Sequence, residues 1–142
     1  MREGNPVGEW INAQSFNDPR GSLKVFEAGK EIPFDIRRIY YLSNVPSDQK
    51  RGGHAHRTLH QVFVAISGSF TVLLDDGKTE KIIKLGPQSQ SLYVGPMLWR
   101  ELYDFSPDGV CLCLASNLYE EADYIRDYSS FLKSMGSTKA VT

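Results

Sequence analysis

Cysteine is nearly absent from this chain: Cys111 and Cys113 are the only two in 142 residues. That excludes a disulfide-stapled scaffold and a four-thiolate zinc site. Both lie in the run VCLCLA, where strand alternation turns the two thiols to one face, so they read as small core hydrophobes. No sign of charge prevails. Sixteen Lys and Arg stand against seventeen Asp and Glu, a net charge of −1, and no basic stripe marks a nucleic-acid surface. No apolar run approaches the roughly 20 residues of a membrane helix. The opening MREGNPVGEW has no apolar segment of a secretion signal, so neither membrane nor export is expected and the expected compartment is the cytoplasm. A G-x-G-x-x-G fingerprint and a P-loop are missing too, so a nucleotide, if bound, is not held at a glycine-rich helix start. Repeats and low-complexity segments are also lacking, and the length suits one domain over 1–142.

What is present is strand. Dense β-formers recur between Gly, Pro, Asn and Asp at intervals of roughly 8–12 residues. The segments 21–28, 32–45, 61–68, 69–77, 79–86, 91–95, 99–106 and 109–116 all read this way. Asp76-Gly77 is a hairpin signal, since Gly supplies positive φ. In RRIYYL, Arg38, Tyr40 and Leu42 share one face and Ile39 and Tyr41 the other, with Tyr41 expected in the core. Residues 120–135 place Tyr124, Tyr128 and Phe131 at helical spacing, which predicts one C-terminal helix, with 136–142 as a frayed tail. With no βαβ rhythm, the expectation is an all-β antiparallel jelly roll carrying that short helix.

The chemistry concentrates in RGGHAHRTLHQVFVAISG, Arg51 to Gly68, which holds all three histidines. His54 and His56 are two apart, so an extended backbone turns both imidazoles to one face, and Gly52 and Gly53 before them allow a bend or a close backbone approach. The pair could be half of a metal site, a proton-transfer device, or simply packed. G-x-H-x-H followed by a glycine resembles the first motif of the cupin superfamily, small barrels of double-stranded β-helix type. Metal-binding cupins add a glutamate nearby and a histidine from a second motif. Here Gln61, with His60 before it, stands near the first place and Arg100, in GPMLWREL, near the second. Arginine has no lone pair to offer a metal and repels a dication. A metal is therefore not expected, and general acid–base chemistry by imidazole is.

A narrower resemblance covers residues 16–133. PRGSLKVFE, IPFDIRRIYYL, RGGHAHRTLHQVFVAISGSFTVLLDDG, LYVGPMLWREL and LASNLYEEADYIRDYSSF together resemble the sugar nucleotide 3,4-ketoisomerases. The resemblance implies a metal-free, cofactor-free cupin-type enzyme and isomerisation of dTDP-4-keto-6-deoxy-D-glucose to a 3-keto sugar, on the way to 3-amino-3,6-dideoxyhexoses of surface glycans. It implies a homodimer in which N-terminal strands, here about 1–15, are exchanged. Matched onto this chain, it makes His54 the main base, His56 an assistant or relay, and Tyr40 an active-site hydroxyl. Arg20, Arg51 and Arg100 become substrate clamps, suited to pyrophosphate oxygens, and Gln61 a polar contact or a histidine partner. Arg100 points to the gluco configuration at C4 of the product. Three other readings remain: a metal-dependent cupin dioxygenase or isomerase, a 3,5-epimerase, and a ligand-binding cupin without catalysis.

Overall fold

The computed structural model describes residues 8–137. Residues 1–7 of the expected arm and 138–142 of the expected tail lie outside the described residues.

Two five-stranded antiparallel sheets face each other. The first runs β1 (Glu9–Ile11), β9 (Ser91–Val94), β6 (Gln61–Ser67), β11 (Val110–Ala115), β4 (Arg38–Ser43). The second runs β12 (Tyr124–Ile125), β5 (Arg51–His56), β10 (Trp99–Tyr103), β7 (Phe70–Asp75), β8 (Glu80–Leu85). A separate hairpin joins β2 (Gln14–Asp18) to β3 (Gly21–Val25). This is the expected jelly-roll arrangement, with most strand segments where alternation put them. The segment expected as one strand over 32–45 is a strand only over Arg38–Ser43. The residues before it cross the outer face of the first sheet, where Phe26, Ile32, Phe34 and Ile36 pack on Val62, Val64 and Leu114.

Alternation sorts the side chains. Phe63, Phe70, Val72, Leu74, Leu85, Leu92, Leu102, Cys111 and Cys113 turn inward and form the core between the sheets. The cysteines are free and buried, with their sulfurs 3.8 Å apart, as small core hydrophobes. Asp76-Gly77 closes the β7–β8 hairpin: Asp76 Oδ1 accepts from the backbone N–H of Lys78 and Thr79, and Gly77 has φ +92°. Tyr41 departs from expectation. Its face of β4 is the outer one, at the edge of the first sheet, and it is 66% exposed.

The C-terminal helix is also shorter than its periodicity predicts. Residues 121–123 form a 3-10 turn, Tyr124 and Ile125 pair with His56 and Ala55, and only α1 (Tyr128–Ser134) is helical. Asp127 sets that start by accepting from the backbone N–H of Ser130 as N-cap. Helix α1 packs Phe131 and Leu132 over the outer face of the second sheet, against Ala55, Trp99 and Ile125. The start of the supposed frayed tail is fastened: Ser137 donates from its backbone to Leu132 and from its hydroxyl to the Gly77 carbonyl.

Candidate active site

The inner faces of both sheets contribute to a cavity of about 530 Å³ at one end of the barrel. From β5 comes His54, from β4 Arg38 and Tyr40, from β6 Gln61, from β10 Arg100, and from β12 Tyr124; Lys50, Arg51 and Arg126 stand at its margin. Strand parity explains the selection. Ala55 turns outward into the helix-side cluster, so its neighbours His54 and His56 turn inward together.

The approach of β5 to β10 depends on glycine. Arg100 pairs with His54, then the register shifts and Gly52 faces Glu101. Gly52 has φ +82°, and a Cβ there would lie 2.9 Å from the Arg100 carbonyl oxygen. A β-bulge of this kind aims side chains at a site.

Arg100 is 1% exposed. Its Nε donates to the Leu98 carbonyl at 3.1 Å and its Nη1 to Gln61 Oε1 at 2.6 Å, while Nη2 is buried with no partner among the described residues. Arginine only donates, so the Gln61 amide is fixed with its oxygen toward Arg100 and its NH₂ toward Tyr40. Gln61 Nε2 donates to the Tyr40 hydroxyl oxygen at 2.8 Å. The phenol oxygen has thus accepted, and its own O–H is the donor, with the Cys113 sulfur as the hydrogen-bond partner beside it. Burial, with Cys113 beside it, pushes Tyr40 well above the ordinary phenol range and keeps it protonated. Burial lowers Arg100 to about 10, which leaves it cationic at neutrality.

The histidine rings meet edge to face, with centroids 4.8 Å apart. Tyr124 lies against both, at 4.8 and 4.3 Å. Burial first, then Arg100 and Arg126, lower His54 to about 4. Burial, Arg100 and the neighbouring His54 lower His56 to about 2. Both imidazoles are therefore neutral near pH 7, and more weakly basic than the free side chain that suggested acid–base chemistry.

The other expected residues are placed less uniformly. His56 faces inward but opens on a second cavity behind the first. His60 leaves the site: its Nδ1 is 2.6 Å from the Tyr93 hydroxyl and its ring lies near Phe34, in the outer layer. Arg20 is at the β2–β3 turn, 90% exposed and paired with Asp18, and does not line the cavity of its own chain. Among the described residues no three of His, Cys, Asp and Glu converge as a metal cluster. Tyr124, Arg126, Arg38 and Asp123 were not anticipated as site residues. The first, second and fourth fall in the stretch read as helix, where the β-formers Tyr124-Ile125 ahead of an Asp127 cap with Ser130 were the available sign of a strand.

A family model described as FdtA, WxcM-like, C-terminal, matches residues 8–136. The chain belongs to this family. A curated relative from Aneurinibacillus thermoaerophilus, a TDP-4-oxo-6-deoxy-alpha-D-glucose-3,4-oxoisomerase, is 47% identical over 123 residues, covering 87% of this chain and 88% of the relative. A solved 3,4-ketoisomerase from Helicobacter canadensis is 42% identical, with a TM-score of 0.87 over 92% of this chain and 98% of that one. QdtA, a sugar 3,4-ketoisomerase from Thermoanaerobacterium thermosaccharolyticum solved in complex with TDP, is 40% identical, with a TM-score of 0.89 over 92% of this chain and 96% of that one. The solved relatives share the fold over nearly the whole chain, and the family model extends through the segment that carries Tyr124, Arg126 and α1.

Proposed function

We propose that this protein is a sugar nucleotide 3,4-ketoisomerase acting on TDP-4-keto-6-deoxyglucose, and that the 530 Å³ cavity is its active site. The observation that carries the reading is the arrangement within the cavity. A neutral imidazole, a protonated phenol, and a buried guanidinium with a free N–H converge on one space. That is a base beside two donors, which is what enolisation of a ketone needs.

The proton on C3 passes to His54 as the C3–H pair of electrons moves toward C4 and the carbonyl oxygen becomes an oxyanion. Tyr40 O–H and Arg100 Nη2 are the donors for that oxygen. Protonation at C4, with the proton of the C3 hydroxyl passing to the C4 oxygen, then leaves a ketone at C3 and a hydroxyl at C4. Proton and electron inventories close within the sugar, so no redox cofactor takes part. Arg51, with Lys50 and Arg126 at the margin, suits the pyrophosphate. Its negative charge offsets the arginines that hold His54 low and raises the basicity of the imidazole when substrate binds. His56 assists from behind. The buried arginine favours the gluco configuration at C4.

The assembly is read as a homodimer. Ile39, Tyr41 and Ile66 are exposed on the outer face of the first sheet, and Phe16 and Leu23 on the β2–β3 hairpin. Such apolar surface asks for a cover, and a second copy that receives the hairpin would bring Arg20 to its neighbour's cavity; sedimentation separates the two states.

The test is incubation with TDP-4-keto-6-deoxyglucose in deuterated water, followed by NMR. A 3-keto product with deuterium at C4, and recovered substrate with deuterium at C3, are expected. Exchange at C5 would point to an epimerase instead, and the absence of both product and C3 exchange would end the ketoisomerase reading.

A further inference from the structure

His56 is the one buried imidazole with no place at the main cavity. It lines a second cavity of about 220 Å³, whose rim residues Leu118 and Glu120 are exposed. Tyr124 and Arg38 line both cavities, and the edge-to-face contact of His56 with His54 forms the rest of the partition.

Behind His56 stands Asp123. Its Oδ2 is 3.5 Å from His56 Nδ1, which is buried and has no hydrogen-bond partner among the described residues. The carboxylate is held from several sides. Oδ1 accepts from the Thr58 backbone N–H at 2.9 Å and from the Thr58 hydroxyl at 2.8 Å, and Oδ2 accepts from the Leu59 N–H at 3.2 Å. The Asp123 carbonyl accepts from the Arg57 N–H at 2.9 Å. All these donors belong to the turn that leaves β5 immediately after His56. The next residue, Tyr124, pairs with His56 itself. Asp123 is therefore fixed relative to the ring by the same strand that carries the ring.

The sign of the charge matters. Arg100, Arg38, Arg126 and His54 all oppose a proton on His56. Asp123 is the carboxylate within ion-pair distance of that ring. A carboxylate accepts and cannot donate, so it selects the ring form with hydrogen on Nδ1. A contact of 3.5 Å is long for a hydrogen bond, and in enzymes without substrate such contacts are often long and tighten in the reacting complex.

We propose that Asp123 is a positioning residue for the histidine pair: its carboxylate fixes His56 with a proton on Nδ1 and so leaves Nε2 as the atom that exchanges a proton with His54. The step is a single proton transfer. The N–H bond formed on His54 at enolisation breaks, a bond forms at His56 Nε2, and the positive charge passes transiently to the ring beside Asp123; no electrons change hands. The rear cavity then offers the pair an outlet to solvent away from the sugar. This inference rests on the ketoisomerase reading for its catalytic part and on geometry alone for the tautomer.

Asp123→Asn separates the two. The amide keeps an oxygen for Thr58 but can present N–H to His56 Nδ1, which favours the opposite tautomer. The full chain, ¹⁵N-labelled at histidine, is compared with the variant by imidazole NMR at pH 7, alongside kinetics on TDP-4-keto-6-deoxyglucose and thermal melting. The expected result is an Nδ1–H tautomer at His56 that switches in the variant, with kcat falling about 10²-fold or more while KM moves little. An Nε2–H tautomer in the unmutated protein overturns the proposal even if the variant fails to fold. So does an unchanged kcat, or a kcat that falls only with the folded fraction. If the unmutated protein turns over no keto sugar, the ketoisomerase reading falls, and the tautomer comparison still decides whether Asp123 positions His56.

Discussion

At the scale of single residues, the site is a set of protonation states held by burial. His54 is kept in its basic form by a dry pocket and two arginines, and Tyr40 is kept as an acid by the same dryness. With His54 lowered to about 4, kcat/KM is expected to stay level from pH 8 to about 5 and to fall only near pH 4, well below the ordinary imidazole range. The same shifts bear on stability. Below pH 6.5 the unfolded chain takes up protons at both histidines that the folded chain refuses, so stability is complete above that pH and declines as pH falls through about 4. Melting temperatures between pH 7.5 and 4.5 measure this, and replacing both histidines by glutamine should flatten the slope. Much of this layer was legible in the sequence. H-x-H two residues apart can face only one way in a strand, and Arg100 at a second-motif position announced positive charge. Tyr124 and Asp123 were not legible, because they reach the histidines by chain return and not by spacing, and the apolar repeat through Tyr124, Tyr128 and Phe131 mimics a helix.

At the scale of elements, the pocket depends on how closely β5 lies against β10. Gly52 makes that approach possible, with positive φ and the Arg100 carbonyl where a side chain would begin. Gly52→Ala is expected to cost about 1–2 kcal/mol and, by moving His54 off Arg100, to lower kcat by up to about 10²-fold; urea denaturation and steady-state kinetics measure the two effects. Retention of wild-type kcat would show that β5 has slack at this point. The strands themselves were legible because dense β-formers fill β6, β7 and β11 between turn residues, and because β8 alternates. The irregular run 26–37 was not, since its apolar residues cap the outside of a sheet instead of pairing within one.

At the scale of the whole molecule, the first sheet is covered along part of its outer face by residues 26–36 and bare along β4, where Ile39 and Tyr41 are exposed. Sequence alternation assigns Tyr41 to a face but does not say whether anything lies over that face, which is why it was expected in the core. The homodimer reading makes a measurable statement: sedimentation velocity at micromolar concentration should give twice the 16.0 kDa chain mass, and Tyr41→Lys should shift the population toward single chains. A monomer at all concentrations would contradict it. The placement of Trp99 has an optical consequence. Its indole lies between β10 and α1, against Tyr128 and Phe131, while Arg100, the next residue, faces the cavity on the opposite side of the same strand. Trp10 is the only other tryptophan. A Trp10→Phe protein would therefore carry a single fluorophore whose emission reports the seating of α1, read from one side of a strand whose other side bears the cavity's buried charge.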